Sequence, residues 1–303
     1  MATTVPPRTL SAARDIRGLL WSYVRLTKPR IVMLLVITTI PAMLLAHGGV
    51  PSVWLMLATV LGGSVVAGGA NAMNMYFDRD IDEIMLRTQE RPVPAGQVEP
   101  ERAAVFGFLL GALGFAFMYL AINPLSAVLT LSAFAFYVIV YTLILKRHTS
   151  LNIVIGGAAG AMPPMIGWAA VTNSVSIEAI LMFAIVTMWT PPHFWAISIN
   201  YSSDYKRASI PMLPVVAGVD ATKRQMLYYT IGLVAVTIAL AFFSDLGAVY
   251  LASAVALGAG FIYVVARLWR SKSARPATAV FVYSIIYLAL LFGAIALDTL
   301  VRS

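Results

Sequence analysis

Three oxygen-bearing side chains follow one another at intervals of four residues in the stretch NMYFDRDID. Asn74, Asp78 and Asp82, which we call the first motif, are spaced i, i+4 and i+8. In an α-helix each step of four residues turns the side chain by only about 40°, so the three share one face, whereas Asp80 points the opposite way. Mg²⁺ prefers oxygen ligands and completes its shell with water and phosphate oxygens. The spacing therefore predicts that the first motif binds Mg²⁺.

Two arginines and a cluster of acids follow in the same segment. Seven of the 13 acidic residues lie between Asp78 and Glu101, together with Arg87 and Arg91. A guanidinium group can bind two phosphate oxygens at once, so both arginines are candidate diphosphate ligands. The simpler interpretation is a solvated loop in which acids and arginines neutralise one another. The matched helical face of the first motif favours a site for a metal and a diphosphate.

A second stretch, NYSSDYKRA, repeats the beginning of the first. Asn200 and Asp204, which we call the second motif, have the same spacing as Asn74 and Asp78, but Ala208 stands where a third acid would be. We predict Asp204 as a further catalytic and metal-binding residue, and Asn200 and Lys206 as substrate-binding residues. Coincidence is the alternative explanation of the repeat.

Three other polar side chains stand out in apolar surroundings. Lys146 and Arg147 follow an apolar segment and are candidate diphosphate ligands, although basic residues at that place also serve as ordinary membrane anchors. His193 follows a Pro-Pro pair inside an apolar segment, where an ionisable side chain is a functional candidate. It is a candidate haem-iron ligand or acid–base group. The alternative is a hydrogen-bonded packing histidine.

The elements that must position these residues are apolar. The chain has 303 residues, of which 60% are hydrophobic and 11% charged, and its mean hydropathy is +0.85. The absence of cysteine excludes disulfides and thiolate metal sites. A membrane-spanning helix needs roughly 20 apolar residues. Nine segments qualify: 31–48, 52–76, 103–122, 124–144, 151–170, 177–199, 225–244, 246–266 and 277–298.

Basic residues predict the orientation of these segments. With nine spans, all lysines and arginines except Arg302 fall on one side, six of them in the N-terminal tail, including Lys28. The excess of basic residues marks the cytoplasmic side, so the N-terminus is predicted to be cytoplasmic and the C-terminus periplasmic. The formal net charge of +8 has the same explanation, and we predict no nucleic-acid partner.

The two motifs are four spans apart and have the same orientation, which indicates a parallel internal repeat. We therefore predict an all-α, polytopic membrane protein with two four-helix halves and a ninth helix around a central cavity. Its domains are a cytoplasmic tail (1–30), a transmembrane domain (31–298) that carries the site, and a short C-terminal tail (299–303). We expect the two motifs to face each other across the cavity and to bind a diphosphate through Mg²⁺. The bilayer side of the cavity would then hold the apolar tail of the same substrate.

These features resemble the intramembrane aromatic prenyltransferases, and most closely their haem-farnesylating branch. The spacing of the first motif is typical of the whole superfamily, whereas the other stretches are similar to the haem branch alone. Quinone-pathway members usually carry two or more acids in the second motif, while this chain has only Asp204. The matching stretches are NMYFDRDIDEIMLRTQERPVPAG, YTLILKRHTSLNIVIGGAAGAMPPMIGW, WTPPHFWAISI and DYKRASIPMLPVVAG.

The resemblance implies the chemistry. Farnesyl diphosphate binds through Mg²⁺ to the first motif and to Asp204, and its C–O bond ionises. The vinyl group of haem B (protohaem IX) attacks the farnesyl carbon and water adds, which gives haem O for terminal oxidases. His193 is implied as a haem contact. The implied setting is the bacterial plasma (inner) membrane, with the lipid bilayer and the downstream haem A synthase as partners.

Three other functions are weighed against this one. A prenyltransferase that acts on 4-hydroxybenzoate or another quinone precursor differs only in its acceptor. A secondary transporter also has repeats and polar helix ends, but it needs polar residues near the bilayer midplane, and here they gather at one face. A membrane subunit without catalysis would leave the matched acids of the first motif unexplained.

Overall fold

The computed structural model describes residues 16–303 apart from the side chain of Leu34, and these residues form helices and connecting turns without a strand. The first half of the predicted N-terminal tail, 1–15, lies outside the described residues. The helices are α1 (Ile16–Leu26), α2 (Pro29–His47), α3 (Val53–Phe77), α4 (Arg79–Ile84), α5 (Pro100–Ala121), α6 (Pro124–His148), α7 (Asn152–Thr172), α8 (Ile177–Asn200), α9 (Ser202–Arg207), α10 (Leu213–Val216), α11 (Gly218–Phe243), α12 (Ala248–Arg270) and α13 (Pro276–Arg302).

All nine predicted membrane spans are present as helices. Within residues 16–303, nine helices are long and apolar enough to cross a bilayer, and they coincide with the nine apolar segments of the sequence. Large side chains such as Leu120 and Phe242 are more than 70% exposed along them, which suits a surface that faces lipid. The last span continues to Arg302, so the predicted C-terminal tail, 299–303, is mostly helical.

The nine spans of the described residues pack in a ring, in which the last span contacts the first. Each one packs against the next along the chain, and α13 returns to α2 while it also packs on α8 and α12. In each half the second and third spans form a close pair, α3 with α5 and α8 with α11. This is the predicted arrangement of two four-helix halves with an added ninth helix.

A glycine pair brings α3 and α5 together. A Cβ atom on Gly69 would lie 2.6 Å from the carbonyl oxygen of Gly107, and one on Gly107 would lie 2.8 Å from the carbonyl oxygen of Gly69. The two backbones are therefore in direct contact, as small residues allow between membrane helices. This contact holds the end of α3, which carries Asn74, against the bundle.

The first motif crosses a helix break. The sequence suggests one helix through Asp82, but α3 ends at Phe77 and α4 begins at Arg79. The spacing nevertheless keeps its helical geometry, because the backbone amide of Asp78 donates to Asn74 (2.9 Å) and that of Asp82 donates to Asp78 (2.8 Å). The three side chains therefore stay on one side despite the break.

The second half of the predicted N-terminal tail is structured. Residues 16–26 form α1, whose buried Leu26 belongs to an apolar cluster with Met75 and Val93. A turn at Lys28 separates α1 from α2, and Lys28 has the left-handed conformation (φ 51°, ψ 62°). Such a backbone is uncommon for a residue other than glycine and often marks a functional site.

The fourth span has an irregular inner part. Residues Phe136–Leu145 of α6 are π-helical, and the hydroxyl of Thr142 donates to the carbonyl oxygen of Tyr137, five residues earlier (2.9 Å). π-Helical segments are rare and are frequent at functional sites. This one ends directly before Lys146, so it sets the position of that lysine.

Candidate active site

Asn74 lies at the centre of a buried polar cluster near the C-terminal ends of α3 and α6. Its side chain is almost fully buried. The amide nitrogen donates to Asp78 Oδ2 (2.7 Å) and to Thr142 Oγ1 (3.1 Å), while the amide oxygen accepts from Lys28 Nζ (2.9 Å). One amide thus joins residues from three parts of the chain. The sequence predicts Asn74 and Asp78 but not Lys28 or Thr142.

Asp78 is fully buried, with 0% exposure. Its Oδ2 atom accepts from Asn74 and forms an ion pair with Lys146 Nζ at 2.5 Å. Its Oδ1 atom is buried without a hydrogen-bond partner. A buried carboxylate oxygen that lacks a donor is uncommon and calls for an explanation. A cation bound at this oxygen would supply the missing partner, so the site fits a metal ion.

Asp82 continues the cluster on α4. It is 1% exposed, and Arg91 Nη1 donates to both of its carboxylate oxygens at 2.8 Å. The hydroxyl of Thr88 donates to the backbone carbonyl of Asp82 (3.1 Å), which fixes the turn that brings Arg91 back. Arg91 therefore belongs to the cluster, where its partner is the third residue of the first motif, and its role as a diphosphate ligand stays a prediction.

Lys28 is the main residue of the cluster that the sequence prediction missed. Burial is the largest cause that lowers the pKa of Lys28, to about 7, followed by the positive charge of Arg91; Asp82 and Asp78 oppose the shift. The lysine was counted among the six basic residues of the tail. Its position directly before a span is equally typical of a membrane anchor. The sequence pattern therefore does not distinguish Lys28 from the other basic residues of the tail.

Arg87 joins the two loops that carry the motifs. Its Nη2 atom donates to the hydroxyl of Tyr205 (2.5 Å), and its guanidinium carbon lies 4.9 Å from the centre of that ring and 5.7 Å from the ring of Tyr201. Burial raises the pKa of Tyr205, although Arg87 acts against the shift, so the phenol stays protonated at neutral pH. The two predicted regions therefore meet through Arg87 and Tyr205.

Arg147 does not join the buried cluster. It forms an ion pair with the exposed carboxylate of Asp80 (2.7 Å) and donates to the carbonyl oxygen of Phe77 (2.9 Å). The hydrogen bond from Arg147 holds the pKa of Asp80 below its ordinary value. The prediction that Asp80 points away from the first motif is confirmed. Lys146 and Arg147, adjacent in sequence, thus serve opposite sides of the α3–α4 junction.

The second motif does not reproduce the first. Asp204 is buried and forms an ion pair with Arg207 of the same short helix. Asn200 is exposed and donates to Thr278 Oγ1 (3.2 Å) on α13, and Lys206 is exposed. Within residues 16–303 no hydrogen bond or ion pair joins these residues to the first motif.

His193 lies in a packed aromatic environment apart from the cluster. Its side chain is buried, and its Nδ1 atom is 2.7 Å from the hydroxyl of Ser284 on α13. Its ring stacks on Trp189 with 4.3 Å between centroids and lies 4.9 Å from Phe281. These contacts agree with a hydrogen-bonded packing histidine. A contact with haem stays a prediction.

Aromatic and apolar side chains adjoin the cluster. The rings of Tyr137 and Tyr141 stack 5.5 Å apart on the π-helical part of α6. Tyr141 packs against a buried apolar group. The members of that group are Ile81, Met85, Ile153, Tyr205, Ile210 and Met212. Charge at the helix ends thus borders on apolar and aromatic surface, as an amphiphilic substrate requires.

The ligands of the cluster suit a metal that shares its shell with a substrate. Among the described residues, no three His, Cys, Asp or Glu side chains come together to hold a metal ion. The first motif instead offers two carboxylates and one amide. Mg²⁺ is usually bound by one or two carboxylates, with water and substrate phosphates as its other ligands. The donor set therefore fits Mg²⁺ with a diphosphate, and it does not fit a closed structural site.

Comparison with proteins of known sequence agrees with this arrangement. The profile of the UbiA prenyltransferase family matches residues 35–292. Protoheme IX farnesyltransferase 1 of Saccharopolyspora erythraea is 50% identical over 288 residues, which cover 94% of this chain and 92% of that protein. Protoheme IX farnesyltransferase of Paenarthrobacter aurescens is 44% identical over 100% of this chain and 97% of its own length.

Solved structures show the same fold at low sequence identity. A structure of digeranylgeranylglyceryl phosphate synthase superposes with a TM-score of 0.77 at 18% identity, over 93% of this chain and 98% of that one. A UbiA homologue from Archaeoglobus fulgidus, bound to GPP and Mg²⁺, superposes with a TM-score of 0.68 at 18% identity, over 91% and 99%. The fold, the family profile and the relatives that align over nearly the whole chain agree. The chain therefore belongs to the UbiA prenyltransferase family.

Proposed function

We propose that this chain is a Mg²⁺-dependent protohaem IX farnesyltransferase, which transfers the farnesyl group of farnesyl diphosphate to a vinyl group of haem B. The observation that carries the proposal is the buried cluster around Asn74, in which two carboxylates and an amide meet Lys28, Arg91 and Lys146. The acceptor rests on the relatives at 44–50% identity, which are named protoheme IX farnesyltransferases.

The cluster divides into metal ligands and diphosphate ligands. Asn74, Asp78 and Asp82 would hold Mg²⁺, and Asp204 would add a ligand from the second motif. When bound, the metal acts as a Lewis acid that neutralises charge on the leaving diphosphate. The phosphate oxygens would be bound by Lys146, Arg91 and Arg87, and we add Lys28 because it contacts Asn74. Asn200, Lys206 and Arg147 stay predicted substrate-binding residues, although none of them contacts the cluster.

The reaction breaks one C–O bond and forms one C–C bond. The bond between the farnesyl C1 atom and the diphosphate oxygen breaks, and its electron pair leaves with the diphosphate. The π electrons of the haem vinyl group bond to the farnesyl C1 atom. A water molecule then bonds to the second vinyl carbon and loses a proton, which gives the hydroxyethylfarnesyl side chain of haem O. The cationic side chains stabilise the leaving group by preorganised electrostatics.

Tyr137 and Tyr141, the stacked pair beside the cluster, would stabilise the positive charge that develops on the farnesyl C1 atom as its C–O bond breaks. The faces of aromatic rings attract cations, and the attraction is stronger where water is excluded. Tyr137 and Tyr141 lie on the same π-helical segment as Thr142, which contacts Asn74. They are therefore the aromatic side chains that we assign to the farnesyl C1 atom. Their apolar neighbours Met85 and Ile153 would keep competing water away.

The haem and the membrane setting complete the proposal. His193, which stacks on Trp189, is the proposed haem contact. The protein would lie in the bacterial plasma membrane with its N-terminus in the cytoplasm and its C-terminus in the periplasm, an orientation that the distribution of basic residues supports. Haem O made there would pass to the downstream haem A synthase, the proposed protein partner.

The proposal is tested with the purified full-length protein in detergent, supplied with haem B, farnesyl diphosphate and Mg²⁺. Mass spectrometry of the extracted haem should show the gain of one farnesyl group plus water, and EDTA should abolish that gain. Farnesylation of 4-hydroxybenzoate without any haem product would keep the metal site and overturn the acceptor. If neither acceptor is prenylated, the enzymatic proposal is wrong and transport becomes the next function to test.

A further inference from the structure

Every residue of the first motif is already paired with a cationic side chain. Lys28 Nζ donates to Asn74 Oδ1 (2.9 Å), Lys146 Nζ to Asp78 Oδ2 (2.5 Å), and Arg91 Nη1 to both oxygens of Asp82 (2.8 Å). The three cations come from three separate places: the α1–α2 turn, the end of α6 and the loop after α4. Each proposed metal ligand thus has its own cation.

The carboxylates of this cluster are already neutralised by cations. Asp78 and Asp82 are paired with Lys146 and Arg91, and Lys28 lies beside the neutral amide of Asn74, so no negative charge is in excess before any ligand binds. A divalent metal alone would bring unbalanced positive charge into a largely buried site, where like charges repel strongly and desolvation is costly. A diphosphate carries at least as much negative charge as the metal carries positive charge. Metal and diphosphate together therefore fit the cluster, whereas the metal alone does not.

We propose that Lys28, Arg91 and Lys146 compete with the metal for the oxygens of the first motif and move to the diphosphate when it binds. The oxygens of Asn74 and Asp82 then become free for the metal. The cluster would thus bind free Mg²⁺ weakly and bind Mg²⁺ tightly when the diphosphate is also bound. This inference rests on the proposed function and adds the order of binding to it.

Two local features support an exchange of partners. Lys28 lies in a left-handed backbone conformation at the turn between two helices. Such conformations cluster at ligand-binding and switch regions. Its partner is the neutral amide of Asn74, so its departure leaves no unpaired carboxylate behind. The Oδ1 atom of Asp78 has no partner, so one metal ligand stays open while its other oxygen is held by Lys146.

Binding of Mn²⁺, used in place of Mg²⁺, tests the proposal without measuring catalysis. Equilibrium dialysis would measure the Mn²⁺ retained with the full-length protein, with and without inorganic diphosphate, and a protein-free solution would correct for the soluble Mn²⁺–diphosphate complex. The test variant is Lys28→Met, which removes a cation whose partner is neutral. The matched control is Lys223→Met, because Lys223 is also buried but donates to the carbonyl oxygen of Ser271 at the end of α12 and to Asp220.

The expected results separate competition from a structural role. Diphosphate should tighten Mn²⁺ binding to the native protein, and Lys28→Met should bind Mn²⁺ alone on the order of tenfold more tightly, which is within the usual range of coupling between two ligands. The gain from diphosphate should shrink by the same factor. Lys223→Met should behave like the native protein. Should Lys28→Met fail to fold, Lys28→Gln has the same expected direction.

Two other results would overturn the inference. If the native protein binds Mn²⁺ equally well with and without diphosphate, the cations do not compete with the metal. If Lys28→Met weakens Mn²⁺ binding or leaves it unchanged, Lys28 does not hold the place of the metal. The proposed function fails differently: in that case Mn²⁺ does not bind to the native protein even when diphosphate is present.

Discussion

The first and second motifs share the Asn-x-x-x-Asp spacing and differ in almost everything that the spacing was expected to produce. Asn74 donates to Asp78 inside a buried cluster, whereas Asn200 is exposed and bonds to Thr278 on another helix. Both motifs end a long span and continue into a six-residue helix, α4 or α9. The local architecture is repeated, and the side-chain geometry is not.

The position of the helix break explains the difference. In the first motif the break comes at Asp78, after the pair, and the backbone amide of Asp78 still donates to Asn74. In the second motif α8 ends at Asn200, and the backbone amide of Asp204 donates to Tyr201 instead. Four residues bring two side chains together only if the helix is continuous between them. The same spacing therefore has two outcomes.

The largest contrast is expected between the two central acids. Asp78→Asn should lower the rate of farnesyl transfer by about 100- to 1000-fold, as loss of one group that stabilises transition-state charge commonly does. Asp204→Asn should lower it by less than about tenfold, because the partner of Asp204 is an arginine of its own short helix. The measurement is kcat/KM for each variant, with folding checked by thermal unfolding. Equal losses would show that the second motif is as important as the first.

The two asparagines offer the next contrast. Asn74→Ala removes the bonds to Asp78, Lys28 and Thr142 and should reduce kcat/KM by about tenfold or more, since buried partners are left unsatisfied. Asn200→Ala removes one exposed bond and should stay within about twofold of the native rate. A strong loss in Asn200→Ala would mean that Asn200, which we expect to contribute little to substrate binding, is as important as Asn74.

A smaller effect is expected where the two loops meet. Tyr205→Phe removes the phenol that accepts from Arg87 and keeps the ring on which the guanidinium lies. We expect KM for farnesyl diphosphate to rise about three- to tenfold, which corresponds to the net contribution of one ordinary hydrogen bond. The double variant Tyr205→Phe with Arg87→Lys should lose less than the two single losses combined. Full additivity would indicate that the contact between the loops has no role in binding.

The smallest effect is expected at the exposed ion pair. Asp80→Asn breaks the contact with Arg147 and should change activity by less than about twofold and stability by at most about 0.5 kcal/mol, since surface ion pairs contribute little. Because the pKa of Asp80 is lowered in the folded state, the pair is complete above the unfolded pKa and is lost as the pH falls through the lowered folded pKa. Thermal unfolding of native and variant protein should therefore converge at acidic pH.

The fold could be predicted nearly completely from local patterns. Each span is an apolar run of sufficient length, and the basic residues alternate between the connecting segments. Asp78, Asp82 and Arg91 were likewise predictable, because they lie within one short segment whose geometry is helical. The break at Asp78 was not predictable, but the spacing survives it.

The missed residues reach the site through contacts between distant parts of the chain. Lys28 meets Asn74 across 46 residues, and Thr142 meets it across 68. Such contacts depend on the packing of whole helices, here on the left-handed turn at Lys28 and on the π-helical segment of α6. The spacing of residues in the sequence predicts neither feature. Arg147 illustrates the converse, because it is adjacent to Lys146 in sequence and yet contacts Asp80 on the opposite side.

The most direct test of the account is to locate a bound metal. Crystals grown with Mn²⁺ and inorganic diphosphate would show the ion by its anomalous scattering. We expect a peak among the side-chain oxygens of Asn74, Asp78 and Asp82, with the diphosphate contacted by Lys28 and Lys146. A peak at Asp204 without one at the first motif, or diphosphate bound with no metal there, would contradict the central claim.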